Sequence, residues 1–220
     1  MAMRVGILGG TGPAGRGLAV RLAVAGTPVV IGSRDPDRAE EVAGHVREEW
    51  PEENLKIEGA ANEDTAQCDV VVVATPWEGA LTTVKPLAGA LAGKVVISMV
   101  NALAKEGREF LALIPPRGSM AASIQAVLPE SLVSASFHHL PASELGKLTV
   151  DLEADVLVCS DHTDATQATV DLIDSIEGLR GIDAGTLAQA AAIEAFTAVL
   201  ISVNIRYKVH STVVLAGFDN

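Results

Sequence analysis

Gly10-Thr11-Gly12-Pro13-Ala14-Gly15 follows the apolar run Val5 to Leu8 and opens a helical pattern. A G-x-G-x-x-G turn between strand and helix is a phosphate cradle. Its first glycine allows the tight turn, its second lets a pyrophosphate approach the backbone, and its third lets helix pack on strand, while the helix N–H groups face the anion. The motif predicts dinucleotide binding. The next strand ends Gly32-Ser33-Arg34, not in the carboxylate that would hold a ribose 2'-hydroxyl, and Arg38 follows one helical turn later. A hydroxyl and two guanidiniums invite a 2'-phosphate, which favours NADP(H) over NAD(H). The competing reading makes Ser33 or Asp35 a helix N-cap with solvated arginines beside it.

Other chemistry is thinly represented. His138-His139 stands without a cysteine or carboxylate cluster, and adjacent histidines in an extended stretch point to opposite faces, so no metal is expected. Asp161-His162-Thr163-Asp164 falls where a strand gives way to a helix and most simply supplies an N-cap and first-turn charges. Cys68 and Cys159 lie in apolar runs with no paired base, and no G-x-S-x-G elbow occurs. Covalent catalysis therefore has no support in the sequence.

The elements that must hold these residues alternate between short apolar runs and helical patterns. Strands are expected at Val5 to Leu8, Val29 to Gly32, Ile57 to Ala60, Asp69 to Ala74, Lys94 to Val100 and Leu132 to Phe137. Helices are expected at Ala14 to Ala25, Asp37 to Trp50, Asn62 to Gln67, Trp77 to Leu91 and from Ser119 to Val127. A further strand-helix-strand unit covers Ala154 to Cys159, Thr163 to Ile176 and Leu179 to Asp183. The stretch from Asn101 to Arg117 shows no period and reads as a lid or a long loop. A final helix, about Thr186 to Arg206, carries only Glu194 as a charge before its end, and so belongs under the sheet or against another subunit.

This alternation is that of an α/β, doubly wound (Rossmann-type), mostly parallel sheet with a smaller C-terminal α/β extension. The division expected is 1–141 for NADP binding and 142–220 for a smaller C-terminal domain with a probable subunit contact. Ligands in such sheets sit outside the carboxyl ends of the strands, where Gly10, Ser33, Thr75, Met99 and His138 fall, with Asn101 just beyond Met99. These residues should ring one crevice.

Across 220 residues the formal charge is −12, which argues against nucleic acid or an anionic membrane as partner. Hydrophobic residues make up 49% but aromatics only 3%, so the core is built from Ala, Val, Leu and Ile, as suits a parallel sheet. Two isolated cysteines suggest reduced thiols and a cytoplasmic location. Neither a signal peptide nor a membrane span is expected.

Taken together, RVGILGGTGPAGRGLAVRLA, VVIGSRDPDRAEE, VVVATPWEGA, FHHLPA and NIRYKVH resemble the NADPH:coenzyme F420 oxidoreductases, the archaeal and actinobacterial F420-dependent NADP reductases, over nearly the whole chain. The resemblance implies hydride exchange between NADP(H) and the 5-deazaflavin coenzyme F420, with the nicotinamide stacked near the deazaflavin in a cleft that residues 142–220 complete. It places Thr11, Ser33, Arg34 and Arg38 at the 2'-phosphate end, with Arg38 standing for a lysine of an archaeal relative. It also sets Trp77 and Leu81 beside the dinucleotide, and His138, Pro141 and Ala142 in the turn bordering the deazaflavin. Met99-Val100-Asn101 and the loop after it depart from the archaeal sequences. His138 is the candidate for handling a proton, with the competing reading that its ring only packs on the deazaflavin. The rivals are an NADP-dependent imine or carbonyl reductase, which needs a proton donor from His138, His139 or Tyr207, and a non-catalytic NADP-binding regulatory module. The nearly uncharged final helix predicts a homodimer or a higher homo-oligomer.

Overall fold

The computed structural model describes residues 3–218. Among the described residues, ten strands and nine α-helices mostly alternate. The amino-terminal half runs β1 (Val5–Leu8), α1 (Pro13–Val24), β2 (Val29–Ser33), α2 (Pro36–Glu49), β3 (Ile57–Ala61), α3 (Asn62–Thr65), β4 (Val70–Val73), α4 (Trp77–Val84), α5 (Ala88–Leu91) and β5 (Val95–Ser98). Then come β6 (Leu103–Glu106), β7 (Glu109–Ala112), α6 (Met120–Val127), β8 (Leu132–Ala135), α7 (Ala142–Leu145), β9 (Ala154–Ser160), α8 (Thr163–Asp174), β10 (Leu179–Asp183) and α9 (Ala190–Tyr207).

Eight strands form one sheet in the order β10-β9-β8-β5-β4-β1-β2-β3. All neighbours are parallel except β8 and β9, which pair antiparallel through Ser134 with Ser160 and Ala135 with Cys159. Helices cover both faces, and this explains the unbroken valines of β4: Val70 and Val72 enter the core beneath α1, α2 and α8, while Val71 and Val73 enter the one beneath α4, α5 and α6. Burying each such side chain contributes roughly 1.5–3 kcal/mol.

Three elements differ from what the periodicity predicts. The stretch 101–117 contains the β6–β7 hairpin, turned at Gly107 with φ +60 and laid against α9. Its outward residues are charged and its strands only four residues long, so no apolar period marks it. The helix expected from Trp77 to Leu91 stops at Val84, because Pro86 forces the 3-10 turn Lys85–Leu87 before α5. The Asp161 carboxylate caps the 3-10 turn that leads into α9 by accepting from Leu187 N at 3.1 Å, while His162 holds the N-cap position of α8 without a side-chain bond. Because β9 runs against its neighbour, this polar cluster lies at the sheet edge opposite the crevice. Among the described residues no group of three His, Cys, Asp or Glu is placed to hold a metal ion.

Leu187–Tyr207 is long and apolar enough to cross a bilayer by length and composition. In this fold it is a packing helix. Ala190 and Ile193 join a core with Ala121, Ala135, Cys159 and Leu187, and Glu194 turns inward to accept from Met120 N at 2.8 Å and Ala121 N at 3.0 Å. Burial pushes the Glu194 carboxyl up to about 7, against the lowering effect of those two amides.

Candidate active site

The three glycines of the opening motif have separate physical reasons. Gly10 donates its N–H to Ile7 O and Gly32 O in the turn, and a Cβ there would stand 2.8 Å from Ile7 O. A Cβ at Gly15 would meet Gly10 Cα at 2.7 Å, so helix packing demands glycine. Gly12 differs from both. Its φ is −75, and a Cβ would meet only Gly9 O at 3.5 Å, so nothing inside the fold requires its bareness. An approaching pyrophosphate does. No side chain caps the start of α1 and no acidic residue lies in its first turn, which leaves its leading N–H groups for an anion.

A cleft of about 1370 Å³ runs from this turn along the carboxyl ends of the strands. Thr11, Gly12, Pro13 and Ala14 form its floor, Ser33, Arg34 and Arg38 one end, Thr75 and Trp77 its middle, and Met99 and Asn101 the other end. Gly10 lies just beneath, with Gly9 at the surface. Among the described residues neither Arg34 nor Arg38 enters an ion pair, and none of the chain's 28 acidic residues precedes Asp35. Asp35 is the N-cap of α2, accepting from Asp37 N and Arg38 N, and Ser33 Oγ accepts from Asp35 N at 3.2 Å. The cap therefore exists, and it is compatible with anion binding: it spends the carboxylate on backbone amides and leaves both guanidiniums open.

A second cavity of about 480 Å³ adjoins the first and shares Ala14, Met99 and Asn101 with it. Phe137, His138, Leu140, Pro141 and Ala142 form one wall, and Thr197, Ile201 and Ile205 of α9 the other. Phe137 adopts φ +64 while almost fully buried, a costly conformation for a bulky residue that is held by the packing around it. The carbonyl of His138 accepts from Asn101 Nδ2 at 3.1 Å and Thr197 Oγ1 at 3.2 Å. Neither ring nitrogen of His138 has a partner. Burial, and the neighbouring His139, lower the His138 imidazole to about 3, so it is neutral at physiological pH. His139 is likewise lowered by burial, and its Nε2 lies 2.8 Å from Asp155 O.

Of the strand-end residues, Ser33, Thr75 and Met99 line the large cleft, Gly10 lies beneath it, and His138 lines the adjoining cavity. Leu81 packs into the core beneath α4 and does not line the cleft, because its side chain falls on the inward face of the helix. Trp77 does both, lining the cleft and packing against that core.

Two supporting residues escaped the sequence reading. Arg21, buried on α1, donates to the carbonyls of Leu145 at 3.1 Å, Glu144 at 3.2 Å, Lys147 at 2.6 Å and Val150 at 2.9 Å, tying the segment after Pro141 to the dinucleotide helix. An arginine inside the apolar helix RGLAVRLAV was the available clue. Glu194, the only acidic residue of α9, was visible, but its partners were not. The thiols of Cys68 and Cys159 are both free and buried, and burial raises both, that of Cys159 to about 11, so neither is a nucleophile.

Known proteins resemble this arrangement from end to end. The family model described as NADP oxidoreductase, coenzyme F420-dependent, matches residues 4–102. The F420-dependent NADP reductase of Methanocaldococcus jannaschii is 39% identical over 96% of both chains. That of Methanothermobacter thermautotrophicus is 35% identical over 96% of this chain and 93% of its own. A solved structure described as an F420-dependent NADP reductase from Arthrobacter sp. FB24 superposes with a TM-score of 0.78 at 25% identity, covering 95% of this chain and 96% of that one. With the phosphate cleft, the adjoining pocket and full-length identity in agreement, the chain belongs to the F420-dependent NADP reductase family.

Proposed function

We propose that the large cleft holds NADP(H), that the adjoining pocket holds the ring of F420, and that the family's hydride transfer takes place where the two cavities meet, at Ala14, Met99 and Asn101. The observation that carries this reading is that shared wall. When bound, NADPH and F420 supply all the redox chemistry, a hydride and its electron pair passing between the two rings. The chain's residues bind, orient and exclude water. Thr11, Ser33, Arg34 and Arg38 grip the 2'-phosphate, Gly10, Gly12, Pro13 and the first turn of α1 take the pyrophosphate, and Thr75 and Trp77 border the path to the nicotinamide.

His138, Pro141 and Ala142 bound the deazaflavin. An imidazole lowered to about 3 by burial and the neighbouring His139 does not serve as an acid near pH 7, so His138 packs against the ring and the deazaflavin's proton is exchanged with solvent. The same neutrality removes the proton donor that an imine or carbonyl reductase would need, since His139 is lowered as well and Tyr207 is exposed. On this reading residues 1–141 bind NADP, and 142–220 complete the deazaflavin pocket and supply a subunit contact in a cytoplasmic enzyme. Phe196, Val199 and Ile205 of α9 and Ile114 beyond the hairpin are exposed apolar residues, which supports a homodimer through this face.

The test is to mix the protein with NADPH and oxidised F420 and follow the deazaflavin absorbance. Loss of absorbance with matching oxidation of NADPH is expected, and no change would sink the reading. The mass in solution at micromolar concentration should be that of a dimer; a monomer would remove the subunit contact.

A further inference from the structure

We propose that Asn101 holds the carboxamide of the nicotinamide through its Oδ1 and thereby selects which face of the ring meets the second pocket. The inference rests on the NADP reading above. The Asn101 Nδ2 donates to the carbonyl of His138 at 3.1 Å. A carbonyl only accepts, so the amide has one orientation, with Oδ1 turned away from that bond. This Oδ1 is buried and has no partner among the described residues. Such an acceptor is costly unless a ligand supplies a donor.

The fold says which donor. Ser33 closes β2, and Gly9, Thr75 and Met99 follow the carboxyl ends of β1, β4 and β5, four neighbouring strands in that order. At about 4.8 Å per strand the cleft advances roughly 14 Å from the 2'-phosphate end to Met99, so the ring end of the dinucleotide arrives beside Asn101. The pyridine ring itself has no N–H. Its carboxamide does. The carboxamide sits to one side of the ring, so turning the ring over to present its other face carries the group away from Asn101. The second tie on the His138 carbonyl, from Thr197 Oγ1, holds this anchor in place from α9.

The experiment compares NADP+ with its 3-acetylpyridine analogue, which has a methyl group in place of the amide nitrogen, in the unmutated enzyme and in N101L. NADP+ should bind about five- to tenfold more weakly to N101L, as for one neutral hydrogen bond. The analogue should bind the parent with that same reduced affinity and be indifferent to the substitution. NADPH labelled with deuterium at one C4 position or the other should deliver label from a single position in the parent and from both in N101L. Equal losses for NADP+ and analogue, single-face transfer retained in N101L, or weakened F420 binding with NADP+ unaffected would each overturn the assignment. Should N101L not fold, the parent alone decides, because equal affinity for NADP+ and the analogue contradicts the proposal. Reduction of F420 by the unmutated enzyme is measured alongside. Its absence refutes the functional reading, and its presence with any contrary outcome refutes only the role of Asn101.

Discussion

The two ends of the crevice solve their binding problems differently. The end proposed for the phosphates is open and made mostly of backbone: an uncapped helix start, a bare Gly12, and two arginines without ion pairs among the described residues. The end proposed for the deazaflavin is built from buried side chains, with neutral His138, left-handed Phe137 and the apolar flank of α9. Charge placed in solvent-facing loops recognises an anion with little rearrangement, whereas a flat neutral ring is recognised by a rigid wall that distant contacts must hold. Arg21 and Glu194 are those contacts, one on the segment after Pro141 and one on α9.

The largest effect should come from Gly12→Val. It crowds the pyrophosphate and should abolish detectable NADP binding, a loss exceeding about a hundredfold. Thermal melting should stay close to the parent's, since the backbone there is unstrained. Gly15→Ala sharpens the contrast: its Cβ lands 2.7 Å from Gly10 Cα, so melting should fall as well. If both variants lose stability equally, Gly12 is a packing glycine and the phosphate end is misread.

Arg34→Ala should cost about ten- to a hundredfold in the preference for NADPH over NADH, measured as the ratio of kcat/KM values, as for one charge-assisted contact to phosphate. F420 affinity should be unchanged. Equal efficiency with both dinucleotides in the unmutated protein would remove Ser33, Arg34 and Arg38 from the site.

Glu194 probes the other end. Its carboxyl is held up at about 7, above its unfolded value of 4.5, so between these pH values the folded state binds more protons than the unfolded chain. Its contribution is therefore complete below 4.5 and fades as pH rises through 7, by roughly 1–3 kcal/mol. Glu194→Gln should flatten that part of the stability profile in urea titrations. It should also raise the KM for F420 without altering NADP binding, because α9 walls only the deazaflavin pocket. An unchanged pH slope would contradict the burial argument.

The smallest effect belongs to His138→Ala. A ring that packs loses contact area, so F420 binding or turnover should fall moderately, by about three- to tenfold. Because the imidazole is lowered to about 3, the pH dependence of hydride transfer should show no inflection near 6.5 that vanishes in the variant. Complete loss of transfer while both ligands still bind would make His138 an obligatory acid or base.

The same asymmetry governs how much could be read from the sequence. The glycine turn and strand-end residues proposed for the phosphate end stand out in the sequence because backbone geometry writes itself into glycine spacing, and the Rossmann alternation follows from apolar period alone. The deazaflavin end was legible mainly through FHHLPA and NIRYKVH, whose meaning lies in resemblance. Its supports join residues 74 to 129 positions apart, as with Glu194 to Met120 and Arg21 to Val150, and no local pattern encodes such pairings. The β6–β7 hairpin escaped because its short strands alternate weakly, and Leu81 packs toward the core because a helix position near a cleft residue need not share its face.

The central claim is that the crevice brings two rings into contact and lets a hydride pass directly between them. Single-turnover reaction of NADPH carrying deuterium at its transferable C4 position, with F420 and enzyme both saturating, tests it most directly. The account predicts that the label is recovered on the reduced deazaflavin, with none exchanged into water. Label appearing in solvent while F420 is reduced would show that the hydrogen passes through an exchangeable protein group, and would contradict direct transfer.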